Sequence, residues 1–141
     1  MLRSMVWLTA ACLFFMYPGA IDRAQAQQQL CANQTTTVDI VNCLAREYEN
    51  EDAALNAVWQ QIMAQFKSQP DYMPASEYKA WRQSLLEAQR AWITYKDTDC
   101  RDAVGYEHWG GTIRPIMSLS CLVDKTRARR IELQERYLNE R

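Results

Sequence analysis

The stretch Leu85-Leu86-Glu87-Ala88-Gln89-Arg90-Ala91-Trp92-Ile93-Thr94-Tyr95-Lys96-Asp97-Thr98-Asp99-Cys100 decides the fold class. Its apolar residues Leu85, Ala88, Trp92 and Tyr95 recur at steps of three and four, the period of one helix face. Ala, Leu, Glu, Gln, Arg and Lys dominate it, and all are good helix formers. Gln89, Arg90 and Cys100 lie on or beside that face, so polar groups and a thiol are set into an apolar stripe. Upstream, Val41, Leu44, Tyr48, Leu55, Trp59, Ile62 and Phe66 share one face of a helix spanning 39–66. Thr36, with Asp39 three residues on, is its cap. At about 1.5 Å per residue the rod would be roughly 40 Å long, with a break near Glu51 as the alternative to one piece.

Pro70 and Pro74 mark the first connection, 68–76, and Ser76 is the expected cap of the second helix. That helix carries Tyr78, Trp81, Leu85, Trp92 and Tyr95. Gly105, Gly110 and Gly111 then bracket a loop, Tyr106-Glu107-His108-Trp109. Pro115 suits the first turn of a third helix running to about Leu138 on Leu119, Leu122, Thr126, Leu133 and Tyr137. With no strand-like alternation or internal repeat, the chain reads as all-α, an antiparallel three-helix hairpin or bundle. Trp59, Trp81 and Trp92, at helical spacing, are expected in its core.

Arg3 precedes an apolar run from Met5 to Tyr17, broken by Pro18 and Gly19, and Ala24-Gln25-Ala26 is a small-x-small site. That layout is a secretory signal peptide over 1–26, which leaves a helical domain over 27–141 destined for the periplasm or the medium. The rival reading makes Cys12 a lipid-bearing residue. Thr9-Ala10-Ala11 lacks the usual Leu three residues upstream, and apolar rather than polar sequence follows. Of 16 basic and 17 acidic residues, Arg3, Arg23 and Asp22 fall in the leader, leaving 14 against 16. A nucleic-acid binder would carry a basic surplus.

Four cysteines remain, Cys31, Cys43, Cys100 and Cys121, and an even count in a short exported chain reads as two disulfides. A zinc site would want a C-x-x-C pair, which is absent, so no metal or cofactor is expected. Counted from a common end near Val38, Val104 and Pro115, Cys43, Cys100 and Cys121 fall in one layer. Local closure favours Cys31–Cys43 and Cys100–Cys121 over a bond joining Cys43 to Cys100. About fourteen residues in from that end lie Asp52, Arg90 with Gln89, and Arg129, with Asn56 and Thr126 nearby. Opposite charges on apolar stripes need each other, so Asp52 is expected to pair with Arg129 or Arg90 in a structural polar layer.

Cys31, Cys43, Tyr48-x-x-x-Asp52-x-x-Leu55-Asn56 and Ala88-Gln89-Arg90-Ala91-Trp92, with Tyr95, Asp97 and Cys100, resemble the LprI-type lysozyme-inhibitor domain. So do Gly110-Gly111-Thr112-Ile113, Cys121, Thr126, Arg129 and Leu133. The pattern spans nearly the whole exported chain. It departs at Lys96, where the family usually shows Arg, and at Trp59, where Tyr is usual. The resemblance implies a small exported helical protein that binds and inhibits a lysozyme, c-type by preference. The alternative is a non-enzymatic envelope module that binds another envelope protein or peptidoglycan.

Catalysis is not expected. His108 is the sole histidine, so any Ser-His or Cys-His unit would depend on it. Oxidised cysteines offer no thiolate, Ser118 and Ser120 carry no mark of activation, and Asp97 and Asp99 point apart on a helix. For inhibition the natural candidate is the loop Tyr106, Glu107, His108 and Trp109. Trp109 either projects toward a partner or folds down over the disulfide end. A basic c-type lysozyme calls for a strongly acidic partner, and the acidic surplus of two counts against that reading, although Glu47, Glu49, Glu51 and Asp52 concentrate negative charge on the first helix.

Overall fold

The computed structural model describes residues 30–68 and 70–139. The chain divides into Met1–Leu30 and a helical unit, Cys31–Arg141, and the leader with its cleavage point lies outside the described residues. The helices are α1 (Thr37–Gln65), α2 (Ala75–Asp97), α3 (Val104–Glu107) and α4 (Arg114–Tyr137), with a π-helical turn, Thr98–Ala103, joining α2 to α3. The fold is all-helical among the described residues, with no strand.

Thr36 caps α1 reciprocally. Its Oγ1 accepts the Asp39 N–H at 3.1 Å and donates to Asp39 Oδ2 at 2.6 Å. The helix then runs unbroken through Glu51. Its second neighbour starts one residue before Ser76, because Pro74, extended at ψ 145°, offers its carbonyl to the Tyr78 N–H at 3.0 Å. No side chain caps that end.

Cross-helix contacts fix the topology. Glu51 meets Arg127 and Arg130 midway, and Gln65 Nε2 reaches the Tyr137 carbonyl at 3.3 Å, so α1 and α4 run parallel. Between them α2 runs the other way, with Tyr78 near the end of α1 and Lys96 on Tyr48. This is an up-down-up bundle in which the first and last helices pack closest. No Cα of α2 comes within 8 Å of one in α1, so α2 reaches α1 by side chains alone.

Leu55, Val58 and Ile62 of α1, Leu85 of α2 and Leu133 of α4 form one aliphatic core. Trp59 and Trp92 are only partly buried against it, and Trp81 stacks edge-on with Phe66 and Tyr78. The tryptophans therefore line the margin of the core rather than its centre, spanning the wide gap that α2 leaves. The buried face of α2 is also shifted from the apolar stripe. Leu85, Gln89 and Lys96 are buried, while Tyr95 is 55% exposed.

Replacing fully buried Ile62 by Ala should cost about 2–5 kcal/mol of unfolding free energy. Tyr95→Ala should cost under about 1 kcal/mol, since that ring never entered the core. Urea titration of both variants checks the shift.

Candidate functional site

Both disulfides form as local closure favours, Cys31–Cys43 and Cys100–Cys121. Cys43 lies in the second turn of α1, Cys121 in the second turn of α4, and Cys100 just past the end of α2, so both staples sit toward one pole. Cys31 takes a left-handed backbone, φ 61°, to turn back onto α1.

The wide turn over 98–103 is the junction of this pole. Its N–H of Val104 bonds the carbonyl of Asp99, five residues back. The extra residue per turn sets adjacent side chains against α4. Cys100 is fully buried in its bond to Cys121, and Asp99 Oδ2 lies 3.1 Å from Lys125 Nζ. That carboxylate is 4.0 Å from Cys121 Sγ, a contact rather than a hydrogen bond, because the bonded sulfur carries no proton. The Tyr95 hydroxyl 2.8 Å from Lys125 Nζ is the largest influence raising the ammonium's pKa, and Asp99 adds to it against burial.

Beyond the junction, Val104–Glu107 continues as a helical turn, so half of the expected loop is helix. The Trp109 N–H bonds the Tyr106 carbonyl at 3.2 Å, and Gly110 at φ +81° reverses the chain where a side chain would be strained. Trp109 does not fold down. It is 70% exposed and stacks on Tyr106, itself 66% exposed, with centroids 5.8 Å apart and planes 18° from parallel. The Arg114 guanidinium rests against both rings, 5.1 Å from the Trp109 centroid and 5.8 Å from that of Tyr106. Glu107 is exposed and His108 half-buried. Val38, at the start of α1, and Ile113 add exposed apolar surface at the same pole. Sequence reasoning found Tyr106 and Trp109 but missed Arg114, which carries no motif.

The expected polar layer exists in part. Arg129 Nε donates to Gln89 Oε1 at 3.0 Å, and its other donors hold Glu132. Asp52, however, accepts from Asn56 Nδ2 at 3.1 Å and, among the described residues, pairs with neither arginine, and Arg90 is exposed. The acid that crosses to α4 is Glu51, one residue earlier and about 100° around the helix. It takes Arg127 Nε at 2.7 Å and Arg130 Nε at 2.8 Å. Thr126 is fully buried, with no hydrogen-bond partner for Oγ1 among the described residues. Lys96, also missed, is buried with Nζ 2.7 Å from Tyr48 Oη and over the rings of Tyr48 and Trp92.

The acids and sulfurs around the wide turn are committed. Among the described residues, Asp99, Cys100 and Cys121 bring ligand-type atoms together, but the two sulfurs are bonded to each other and offer no thiolate. Asp97 pairs with Lys96 and Arg101, and Asp99 with Lys125, so the two acids do not face one shared substrate position. A cavity of about 260 Å³ between α2 and α4, bounded by Trp81, Leu85, Leu133 and Tyr137, exists because α2 stands off. No helix among the described residues is long and apolar enough to cross a membrane.

A family model described as lysozyme inhibitor LprI matches residues 31–133. That span holds both disulfides, the π turn and the aromatic pole. An uncharacterized protein of Rhizobium meliloti (strain 1021) is 31% identical over 114 residues, covering 79% of this chain and 81% of that protein. No solved structure matches.

Glu51 gives the bundle a pH limit. Burial pushes its carboxyl up, but hydrogen bonds and charge from Arg130 and Arg127 outweigh that and hold it below its ordinary value. A depressed carboxylate stabilises the fold fully above its unfolded value, near 4.5, and that contribution is lost as pH falls through the lower folded value. Glu51→Gln should cost about 1.5–3 kcal/mol at pH 7 and less under acid. Denaturant unfolding at pH 7 and below pH 4 reads both.

Proposed function

The chain belongs to the LprI lysozyme-inhibitor family, and from that membership and its exposed pole we propose an exported protein that binds and inhibits lysozyme without catalysis. The Tyr106–Trp109 turn is the element that enters the hydrolase's cleft. One observation carries this reading: two large aromatic rings stand 66% and 70% exposed, stacked on each other at the tip of a cross-linked pole. Exposed large aromatics are costly to a protein alone and valuable at an interface, where they supply area with little side-chain entropy to lose. Two disulfides suit the oxidising space outside the cytoplasm, in keeping with a cleaved leader over 1–26.

Complementarity fits a c-type enzyme. Such lysozymes are basic around an acidic cutting centre, and α1 presents Glu47, Glu49 and Asp52 near the same half of the bundle. Binding by the pole occludes the cleft, so substrate and inhibitor compete for one surface.

Loss of turbidity of a cell-wall suspension by c-type lysozyme, with and without the oxidised chain, reads the inhibition. Replacing Glu107, His108 and Trp109 together by Ala should weaken inhibition about thirtyfold or more while helicity is kept. A folded triple variant that inhibits like the wild type would remove the turn from the interface. No inhibition of any lysozyme type would point instead to an envelope interaction module.

A further inference from the structure

Resting on that inhibitory reading of the pole, we infer that Arg114 is the residue that meets the hydrolase's acidic centre, its guanidinium bonding the carboxyl groups that cut the glycan. The first observation is that Arg114 is uncommitted. Arg101 pairs with Asp97, Arg127 and Arg130 share Glu51, and Arg129 holds Gln89 and Glu132. Arg114 lies against two rings and the backbone of Gly105. Among the described residues no carboxylate or carbonyl accepts from its side chain, so its planar set of N–H donors is free for a ligand.

The second is that it is held in place nonetheless. Arg46, Arg82, Arg90 and Arg136 are exposed surface arginines, and among the described residues only Arg136 of the four has a ring against it, that of Tyr137. Arg114 is half-buried, opens α4, and lies beside the Tyr106–Trp109 stack, close to both rings. Gly105 completes the slot. A Cβ there would stand 3.1 Å from Arg114 Nε and 3.2 Å from Nη2, closer than atoms normally pack. The absent side chain leaves room for the guanidinium, and the Cys100–Cys121 bond fixes the turn that carries Gly105 to the helix that carries Arg114. A preorganised fork of donors loses little freedom when it binds.

The third is the match in chemistry. A retaining or inverting glycan hydrolase places two carboxyl groups at the floor of its cleft. A guanidinium grips a carboxylate through two parallel hydrogen bonds, and the flanking rings fill the space where sugars stack. One unpaired cation beside two stacked aromatics fits a carboxyl centre. It does not fit a polyanion, which is gripped by many cations at once.

The test uses the oxidised full chain, wild type and as Arg114→Gln, Arg114→Lys and Trp109→Ala, against c-type lysozyme and against that lysozyme with both cleft carboxyl residues, the acid glutamate and its partner aspartate, changed to their amides. Helical circular dichroism should not change in the Arg114 variants, and the thermal midpoint should fall only slightly, since ring contacts but no ion pair are lost. Against active lysozyme, Arg114→Gln should weaken inhibition about thirtyfold or more, with Arg114→Lys recovering only part. Against the lysozyme with both carboxyl residues changed to amides, titrated by calorimetry, wild type and Arg114→Gln should bind within about threefold of each other. If Trp109→Ala loses inhibition while Arg114→Gln keeps it, the pole stands and the role of Arg114 falls. The same follows if Arg114→Gln loses as much against both lysozymes. It follows too if its only loss is in binding soluble muramic-acid glycan fragments. If the wild type inhibits no lysozyme, the inhibitory reading fails first and takes this inference with it.

Discussion

The bond between Cys100 and Cys121 is the constraint on which the recognition pole depends. It joins the wide turn at the end of α2 to an early turn of α4, between cysteines 21 positions apart in the chain. Cross-links of that size stabilise mainly by restricting the unfolded chain, by roughly 2–4 kcal/mol. Its local consequence matters more here. The ten residues Val104–Ile113 hang between two fixed points, so Tyr106 and Trp109 are displayed rather than withdrawn into the core. Without that anchor, two exposed rings would gain by collapsing onto the bundle.

The rest of the bundle makes this display affordable by burying and pairing elsewhere. Aliphatic residues of α1, α2 and α4 fill the far half, and Glu51 ties Arg127 and Arg130 between α1 and α4. Lys96 is absorbed by Tyr48 and Trp92, filling the gap that the stand-off of α2 creates. A compact ammonium suits that cage of one hydroxyl and two ring faces, where the larger fork of an arginine would need more room. Acids that otherwise resemble a catalytic pair are spent on ion pairs. At the cross-linked pole two rings and the Arg114 cation stay exposed or unpaired, while Tyr72, in the connection between α1 and α2, is exposed at the other end.

Much of this was legible in the residues. Stripes at three- and four-residue steps on α1 and α4 fall on the buried faces, and Thr36 caps as its spacing with Asp39 requires. The cysteine pairing follows from loop closure, because neighbours in the chain meet most cheaply. The failures have common physical roots. Nothing in Thr98–Ala103 announces a five-residue hydrogen bond, and that turn depends on the tertiary bond it serves. Choosing Asp52 over Glu51 was an error of one residue, which on a helix is a rotation of about 100°. Tyr95 looked like core, but α2 stands too far from α1 to bury the expected stripe, and Gln89 and Lys96 take the inward face instead. Arg114 was invisible because its importance lies in what it does not pair with, a property of the whole pole.

Hydrogen–deuterium exchange of the oxidised chain, alone and saturated with c-type lysozyme, tests recognition through this pole most directly. Backbone amides from Val104 to Arg114 should gain protection on complex formation, with the outer faces of α1 and α2 changing little. Protection gained along those outer faces, with the amides of 104–114 exchanging as they do in the free protein, would contradict it.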